Sequence, residues 1–432
     1  MEWHTLVHVC RRWRTLVFGS PHHLNLQLLC TARTPVRKKL DIWPALPLVV
    51  EKYGLPASSM DNIIAALEHK DRVIKVDLRR LEAGPELESI VGVMEEPFPA
   101  LTFLSLILHG ETVFVPNSFL GGPAPRLEHL HLEGIPFWGL PKLVSSTTSL
   151  VHLELRRIPY FGYILPGVLV TSLSALTRLK TFIFEFVSPH SPLANWESQY
   201  LPPTTRILLP ALTCLKLKAI SKYVEYVMTG IDTPLLDSLH ITFFNQAIFD
   251  TPHLSQFIAR TPNFQAFDEA RITFSDDKVM VALPSPAGKS QFELSLGISR
   301  NDESVGHLSS LVQVCRSSFP VLATVERLYI RRDGYLRRKP WVDHIPDSHW
   351  VELLQLFTAV KSLYLSGEFV RCITLTLQGL VEELTTQVLP ALQNLLLQGY
   401  RQWGPIGKAT ADFVTARQLS GQLISVGSWS GS

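Results

Sequence analysis

The sequence predicts an α/β solenoid: one strand-and-helix unit repeated along most of the chain, with parallel strands on a concave face and helices on the convex face. Three observations predict it. A short apolar frame recurs about ten times. Alternation inside the frame has the two-residue period of a strand, and the segments between frames carry the i, i+3, i+4 spacing of helices. A lone strand of this kind cannot bury its apolar side, so neighbours stack in parallel and share one core.

In chain order, the frame shows weakly as DRVIKVDLRRL (71–81) and PALTFLSLILH (99–109), then clearly as PRLEHLHLEGI (125–135) and SLVHLELRRI (149–158). TRLKTFIFEFV (177–187) is a weaker copy. PALTCLKLKAI (210–220), PLLDSLHITFF (234–244), ATVERLYIRRD (323–333), TAVKSLYLSGE (358–368) and PALQNLLLQGY (390–400) complete the series. Aligned on the central apolar residue, it runs Val76, Leu104, Leu130, Leu153, Phe182, Leu215, Leu239, Leu328, Leu363 and Leu395. Most steps fall within 23 to 36 residues, longer and less even than the simplest leucine-rich repeats of roughly 20–29. The wide gap after Leu239 is expected to hold two degenerate units, around EARITF (269–274) and QFELSLGI (291–298). A doubly wound sheet also alternates strands and helices, but it does not repeat one strand sequence ten times.

Helices are expected between the strands. Asp61 to Leu67 follows Ser58 and Ser59, which suit an N-cap. Ser221 to Met228, Ser309 to Val314, and the set Trp350, Leu353, Leu354 and Phe357 have helical spacing. Ser188 to Pro210, with five prolines, and Ala282 to Lys289 read as loops. Ala409 to Arg417 reads as a helical cap and Gly427 to Ser432 as a frayed end. The domain reading is therefore 1–28 as an N-terminal helical motif, 29–70 as a linker with a first helix, 71–400 as a solenoid of about 10–12 irregular repeats, and 401–432 as cap and tail.

Composition narrows the function classes. The chain is 46% hydrophobic and 18% charged, with 40 basic against 38 acidic residues, so nothing demands nucleic acid or a membrane surface. Five scattered cysteines without CxxC spacing give neither a disulfide framework nor a zinc ribbon. No segment reaches the roughly 18 consecutive apolar residues of a membrane span, and the N-terminus lacks the apolar core of a signal peptide. The expectation is a protein of the cytoplasm, the nucleus or both.

At the N-terminus, Leu6, Val9, Cys10, Trp13, Leu16 and Val17 fall at helical spacing on one face, with the arginines mostly on the other. Read without family knowledge, this is a helix that caps the core. The string L-V-x-V-C-R-R-W-R-x-L, followed by Gly19-Ser20-Pro21 and Leu24-x-Leu26, also resembles the second half of an F-box. The chain, CTARTPVRKKLDIWPALP (30–47) included, resembles the fungal F-box/leucine-rich-repeat proteins along most of its length. The family's opening Leu-Pro-x-Glu helix is not in this sequence, so the motif starts part-way through. The resemblance implies a Skp-type adaptor of a cullin–RING ubiquitin ligase as partner, with Leu6, Val9, Cys10, Trp13, Leu16 and Val17 as adaptor-binding residues.

Catalytic chemistry is not expected. Gly404 to Lys408 lacks the spacing and the Ser or Thr of a phosphate loop, and Trp429 stands where a nucleophile elbow would need serine. His129 and His131 share a strand face, yet no ligand constellation accompanies them, so they read as exposed strand histidines. Arg331, Arg332, Arg337, Arg338 and Lys339, with Tyr335 and Trp341, form the one basic patch with aromatics. It reads either as a phosphate-binding or import signal or as a solvated loop.

The residues between the core leucines should project from the sheet. They are Asp77, Ser105, His131, Glu154, Ile183, Lys216, His240, Tyr329, Tyr364 and Leu396, flanked by Lys75, His129, His152, Arg327 and Asn394. Mixed charge with aromatics suits a protein partner better than a phosphate backbone. The candidate target-binding set is His131, Glu154, Lys216, His240, Tyr329 and Tyr364, with no metal and no cofactor. The expected function is substrate recognition for a Skp–cullin–F-box ligase, and the alternative is an interaction scaffold without ligase attachment.

Overall fold

A computed structural model describes residues 9–19, 26–40, 45–53, 60–110, 114–189, 205–285, 292–299, 306–333, 345–380, 386–399 and 404–430. The chain divides into two compact units, one of Met1–Trp196 and Ile207–Leu212, the other of Glu197–Arg206 and Thr213–Ser432.

The first unit opens with helix α1 (Arg11–Gly19) and strand β1 (Leu28–Cys30). It continues through α2 (Val36–Leu40), β2 (Leu48–Lys52), α3 (Asp61–Leu67), β3 (Val73–Leu81), α4 (Pro85–Val93) and β4 (Phe103–Leu108). Then come β5 (His129–Glu133), α5 (Leu140–Ser146), β6 (His152–Ile158), α6 (Pro166–Leu173), β7 (Thr181–Phe186) and the short β8 (Ile207–Leu208). Strands β1 to β7 pair in chain order, every pair parallel. Val76, Leu104, Leu130, Leu153 and Phe182 stand opposite one another across this sheet and are fully buried. The frame is thus one core layer extended strand by strand.

Two strands, β3 and β6, share an irregularity. In L-R-R-L (78–81) and L-R-R-I (155–158) the register shifts, and Arg80 and Arg157 take positive φ values of 55° and 50°. A bulge of this kind leaves one residue unpaired and bends the strand.

The second unit contains β9 (Cys214–Ala219), α7 (Ser221–Gly230), β10 (Ile231–Asp232), β11 (Ser238–Phe244), α8 (Pro252–Arg260), β12 (Glu269–Phe274), β13 (Lys278–Pro284) and β14 (Glu293–Ser299). After these come α9 (His307–Ser318), β15 (Arg327–Arg332), α10 (Asp347–Leu354), β16 (Ser362–Leu365), α11 (Phe369–Gln378), β17 (Asn394–Gln398), α12 (Pro405–Leu419) and β18 (Ser425–Trp429). Its sheet order is β9-β11-β14-β13-β12-β15-β16-β17-β18. Leu215, Leu239 and Leu294 form one register row, as do Leu328, Leu363, Leu395 and Val426. Helices α7 to α12 pack each against the next, so the second layer advances in the same direction as the strands. Glu225 on α7 fastens that layer: its buried carboxylate accepts the backbone N–H groups of His253 and Leu254 at 2.8 Å, at the start of α8.

Several expectations need correction. The sheet begins at Leu28, upstream of 71, because 29–70 supplies β1 and β2. Those strands have three and five residues, too few to show a period. The stretch after Leu239 holds strands at both expected places, β12 and β14, but an unexpected strand, β13, stands between them. β12 and β13 are an antiparallel hairpin, and β14 returns antiparallel to β13 but parallel to β11. Only Ser275 to Asp277 separate β12 from β13, far fewer than the dozen or so residues a parallel crossover needs. Residues 282–284 therefore lie in β13 rather than in a loop, while 286–291 fall outside the described residues. Residues 427–429 are not frayed, since β18 pairs with β17 from Ser425 to Trp429. The expected helices match α3, α7, α9, α10 and α12, but α3 is preceded by Met60, with no side-chain cap bond. Ser58, Ser59 and residues 190–204 lie outside the described residues.

Candidate functional site

The alternation that buries the leucines turns the intervening side chains to the other face of the sheet. In the first unit the register brings Asp77, Ser105, His131, Glu154 and Ile183 into one row. The row is cross-linked. Ser105 Oγ and His131 Nδ1 are 3.3 Å apart, and His131 Nε2 lies 3.8 Å from Glu133. Burial chiefly lowers the His131 pKa, overriding the nearby Glu154 and Glu133 charges. Arg156 reaches both Glu154 (3.1 Å) and Glu185 (3.4 Å), and Arg157 pairs with Glu133 at 3.6 Å. Upstream, burial pushes the Asp77 carboxyl up, but hydrogen bonds from Arg79 (2.9 Å) and Tyr53 (2.8 Å) outweigh it and hold it below the usual range. In the flanking row, Lys75 pairs with Glu51 at 2.7 Å, and the rings of His129 and His152 stack at 4.4 Å.

In the second unit, Lys216, His240 and Ser295 occupy one row. His240 sits between Ser238 Oγ (2.7 Å from Nε2) and Ser295 Oγ (2.6 Å from Nδ1). A neutral imidazole accepts from one hydroxyl and donates to the other, whereas an imidazolium can only donate. Burial, with the charges of Lys216 and Lys278, pushes this histidine down to about 4. Further along, Tyr329 and Tyr364 are register partners whose rings stack at 4.2 Å. Burial, then the Glu269 charge, pushes the Tyr329 hydroxyl up to about 12. Arg327 pairs with Asp268 at 2.6 Å, and Asn394 Nδ2 donates to Ser362 Oγ at 3.2 Å.

All six target-binding candidates are thus half-buried on the sheet surface and form three register pairs, His131 with Glu154, Lys216 with His240 and Tyr329 with Tyr364. Sequence reasoning missed Arg156, Glu133 and Tyr53, and it missed Arg271, which stands opposite Tyr329 only because of the hairpin. It also missed Trp429, whose ring meets Tyr364 at 5.5 Å and whose Nε1 donates to the Leu365 carbonyl at 3.1 Å. For Arg156 the alternation was a usable signal. For Trp429 a Gly/Ser-rich tail concealed the strand.

At the N-terminal helix, Val9, Trp13 and Leu16 are exposed, as is Cys10, while Val17 is only 1% exposed. Val17 therefore packs inward and cannot share a docking surface with the other four. Leu6 lies outside the described residues.

The remaining chemistry is sparse. Among the described residues no group of three or more His, Cys, Asp or Glu is placed to hold a metal ion. No helix among them is long and apolar enough to cross a membrane. Burial pushes the Cys30 thiol up to about 11 and raises Cys315 as well, so neither is a thiolate at neutral pH. Cys214 and Cys372 are half-buried. Of the basic patch, Arg331 and Arg332 end β15 and Arg332 lies 3.5 Å from Glu368, whereas 334–344 fall outside the described residues.

No protein-family profile matches the chain, and no curated protein matches it. Among solved structures, the chain is similar to the leucine-rich repeat-containing protein LegL7 of Legionella pneumophila, with 12% identity and a TM-score of 0.27, over 93% of this chain and 99% of that one.

Proposed function

We propose that the protein is a non-catalytic recognition scaffold that binds a protein target across the solvent face of its parallel strands. The observation that carries this reading is the register rows themselves. They place histidine, carboxylate, guanidinium and paired tyrosines on a rigid surface, the mixed composition typical of protein contact surfaces. The test uses a photo-crosslinking residue at His131 or at Tyr364, with Arg316 on α9 as the control. Recovery of one protein from the two sheet positions and not from Arg316, and loss of its purified binding in Glu154→Lys or Tyr364→Ala, is the expected result. Equal recovery from the helix position refutes the reading.

The finer proposal is that this scaffold is the substrate receptor of a Skp–cullin–F-box ubiquitin ligase, acting in the cytoplasm or nucleus. Two things support it: the V-C-R-R-W-R string, and the exposure of Val9 and Cys10 just ahead of α1 and of Trp13 and Leu16 on it. The chain would supply no bond-making group, and ubiquitination of the target would follow from proximity alone. Titration of the full chain with a purified Skp-type adaptor should give saturable binding that Trp13→Ala weakens at least tenfold. If the adaptor does not bind, the alternative stands: a scaffold without ligase attachment.

A further inference from the structure

The turn between β1 and α2 carries chemistry that neither the sheet face nor the N-terminal helix uses. It reads Thr31-Ala32-Arg33-Thr34-Pro35-Val36-Arg37-Lys38-Lys39, and residues 33–39 include four basic side chains and no acidic one. A hydroxyl residue followed by proline, with a cation three residues on, is the pattern read by proline-directed protein kinases. Proline presents no N–H to a cleft that offers it no acceptor. The cation pairs with the phosphate on the kinase's own activation loop.

The chain has eight Ser-Pro or Thr-Pro pairs, beginning at Ser20, Thr34, Ser188, Ser191, Thr233, Thr251, Thr261 and Ser285. Thr34 alone has lysine or arginine three residues on, namely Arg37; the others have histidine, serine, alanine, glycine or an apolar residue there. Burial sets three more aside, since Thr233, Thr251 and Thr261 are each at most 4% exposed. Ser20 and Ser191 lie outside the described residues. Sequence and exposure together therefore single out Thr34.

Thr34 closes a tight surface turn. Its N–H donates to the Thr31 carbonyl at 2.9 Å, and its Oγ1 accepts the Thr31 N–H at 3.0 Å. Asn62 Nδ2 on α3 donates to the Ala32 carbonyl at 2.8 Å and fixes the turn to the body of the unit. Thr34 is half-buried, while Arg33, Pro35, Arg37 and Lys38 around it are exposed. The Arg37 side chain is 71% exposed and reaches Glu68 at 3.4 Å, an open pair of little strength that leaves the guanidinium able to turn elsewhere. A kinase cleft holds its substrate extended, so the start of α2 must unwind. That helix has five residues and one buried side chain, Val36, and so short a helix has little stability of its own. We propose that Thr34 is a phosphorylation site for a proline-directed kinase, with Pro35 and Arg37 as the residues the kinase recognises. The Thr34 oxygen bonds to the γ-phosphorus of ATP, the bond from that phosphorus to the β–γ bridging oxygen breaks, and ADP leaves. The hydroxyl proton passes to the catalytic base of the kinase. The product places a charge of about −2 within the basic run, where charge-assisted hydrogen bonds from Arg37 and its neighbours hold it.

The experiment incubates the purified full chain with magnesium, ATP and a purified kinase of the cyclin-dependent class, and maps the phosphate by mass spectrometry. Thr34 is expected to be the main site. Its modification should be abolished by Thr34→Ala, retained by Thr34→Ser, slowed about tenfold or more by Pro35→Ala and several-fold by Arg37→Ala, and unchanged by Lys408→Ala in the other unit. Arg37→Ala alters an exposed side chain, so its unfolding midpoint should stay at the wild-type value even if Pro35→Ala folds poorly. A peptide of residues 28–43 is assayed alongside. Modification of the peptide without the folded chain would show that the fold seals the site, and overturns the proposal. It is equally overturned if neither is modified, if the phosphate enters elsewhere and leaves Thr34 bare, or if Pro35→Ala and Arg37→Ala are modified as fast as the wild type. None of these outcomes depends on adaptor or target binding.

Discussion

At the scale of single residues, the sheet surface is controlled by which side chains have partners across strands. His240 is the sharpest case, because its partners lie on either side: Ser238 two residues back and Ser295 on the neighbouring strand. A histidine held down to about 4 when folded but titrating near 6.5 when unfolded contributes stability that is present above pH 6.5. That stability is lost as the pH falls from about 6.5 to about 4, because the unfolded chain binds the proton first. The contribution reaches up to about 3 kcal/mol at 1.36 kcal/mol per unit. Unfolding midpoints measured from pH 7 to pH 4 should fall more steeply for the wild type than for His240→Gln, and equal slopes would count against the arrangement. The strand position of His240 was readable from the alternation of S-L-H-I-T. Its burial was not, because Ser295 is fifty-five residues away and reaches it only through the return of β14.

At the scale of elements, the frame carries more than a strand. The L-R-R-L and L-R-R-I ends of β3 and β6 hold an arginine at positive φ, where a residue with a Cβ costs roughly 1 kcal/mol and a β-branched one more. Arg80→Gly should be neutral or stabilising by up to about 1 kcal/mol, and Arg80→Val destabilising by about 1–2 kcal/mol, in chemical denaturation. A loss of stability in Arg80→Gly would mean that the bulge is maintained by the side chain. The terminal strand is the second case. β18 pairs with β17 alone, along its whole length, and its largest side chain, Trp429, meets Tyr329 and Tyr364. With Trp429→Ala, hydrogen exchange should speed up in 425–429 and stay unchanged in β15 and β16. In both cases the sequence showed an interval or a tail, and packing against a neighbour turned it into structure.

At the scale of the whole molecule, each paired strand touches mainly its one or two neighbours in the sheet, so a defect should spread by neighbourhood rather than globally. Leu153→Ala removes a fully buried side chain from the core row and should cost about 2–5 kcal/mol. Exchange protection should fall most in β5, β6 and β7 and least in β16 and β17, and a uniform loss would show instead that the repeats unfold as one body. Legible in the sequence were the repeating unit, the inward and outward sides of the strands that carry the frame, and most of the residues in the solvent rows. These are short-range properties, set by a two-residue alternation and by the need of each strand for a neighbour. The tertiary structure alone decided which rows meet, because pairing order is a long-range choice. The three-residue turn after β12 forces an antiparallel hairpin, which places Arg271 rather than a residue of β14 beside Tyr329. It likewise decided that Val17 turns inward, that Trp429 closes on the tyrosine pair, and that the rings of Phe114, Trp138 and Phe161 meet from three loops. Side chains far apart in the chain become neighbours only when the strands between them have stacked.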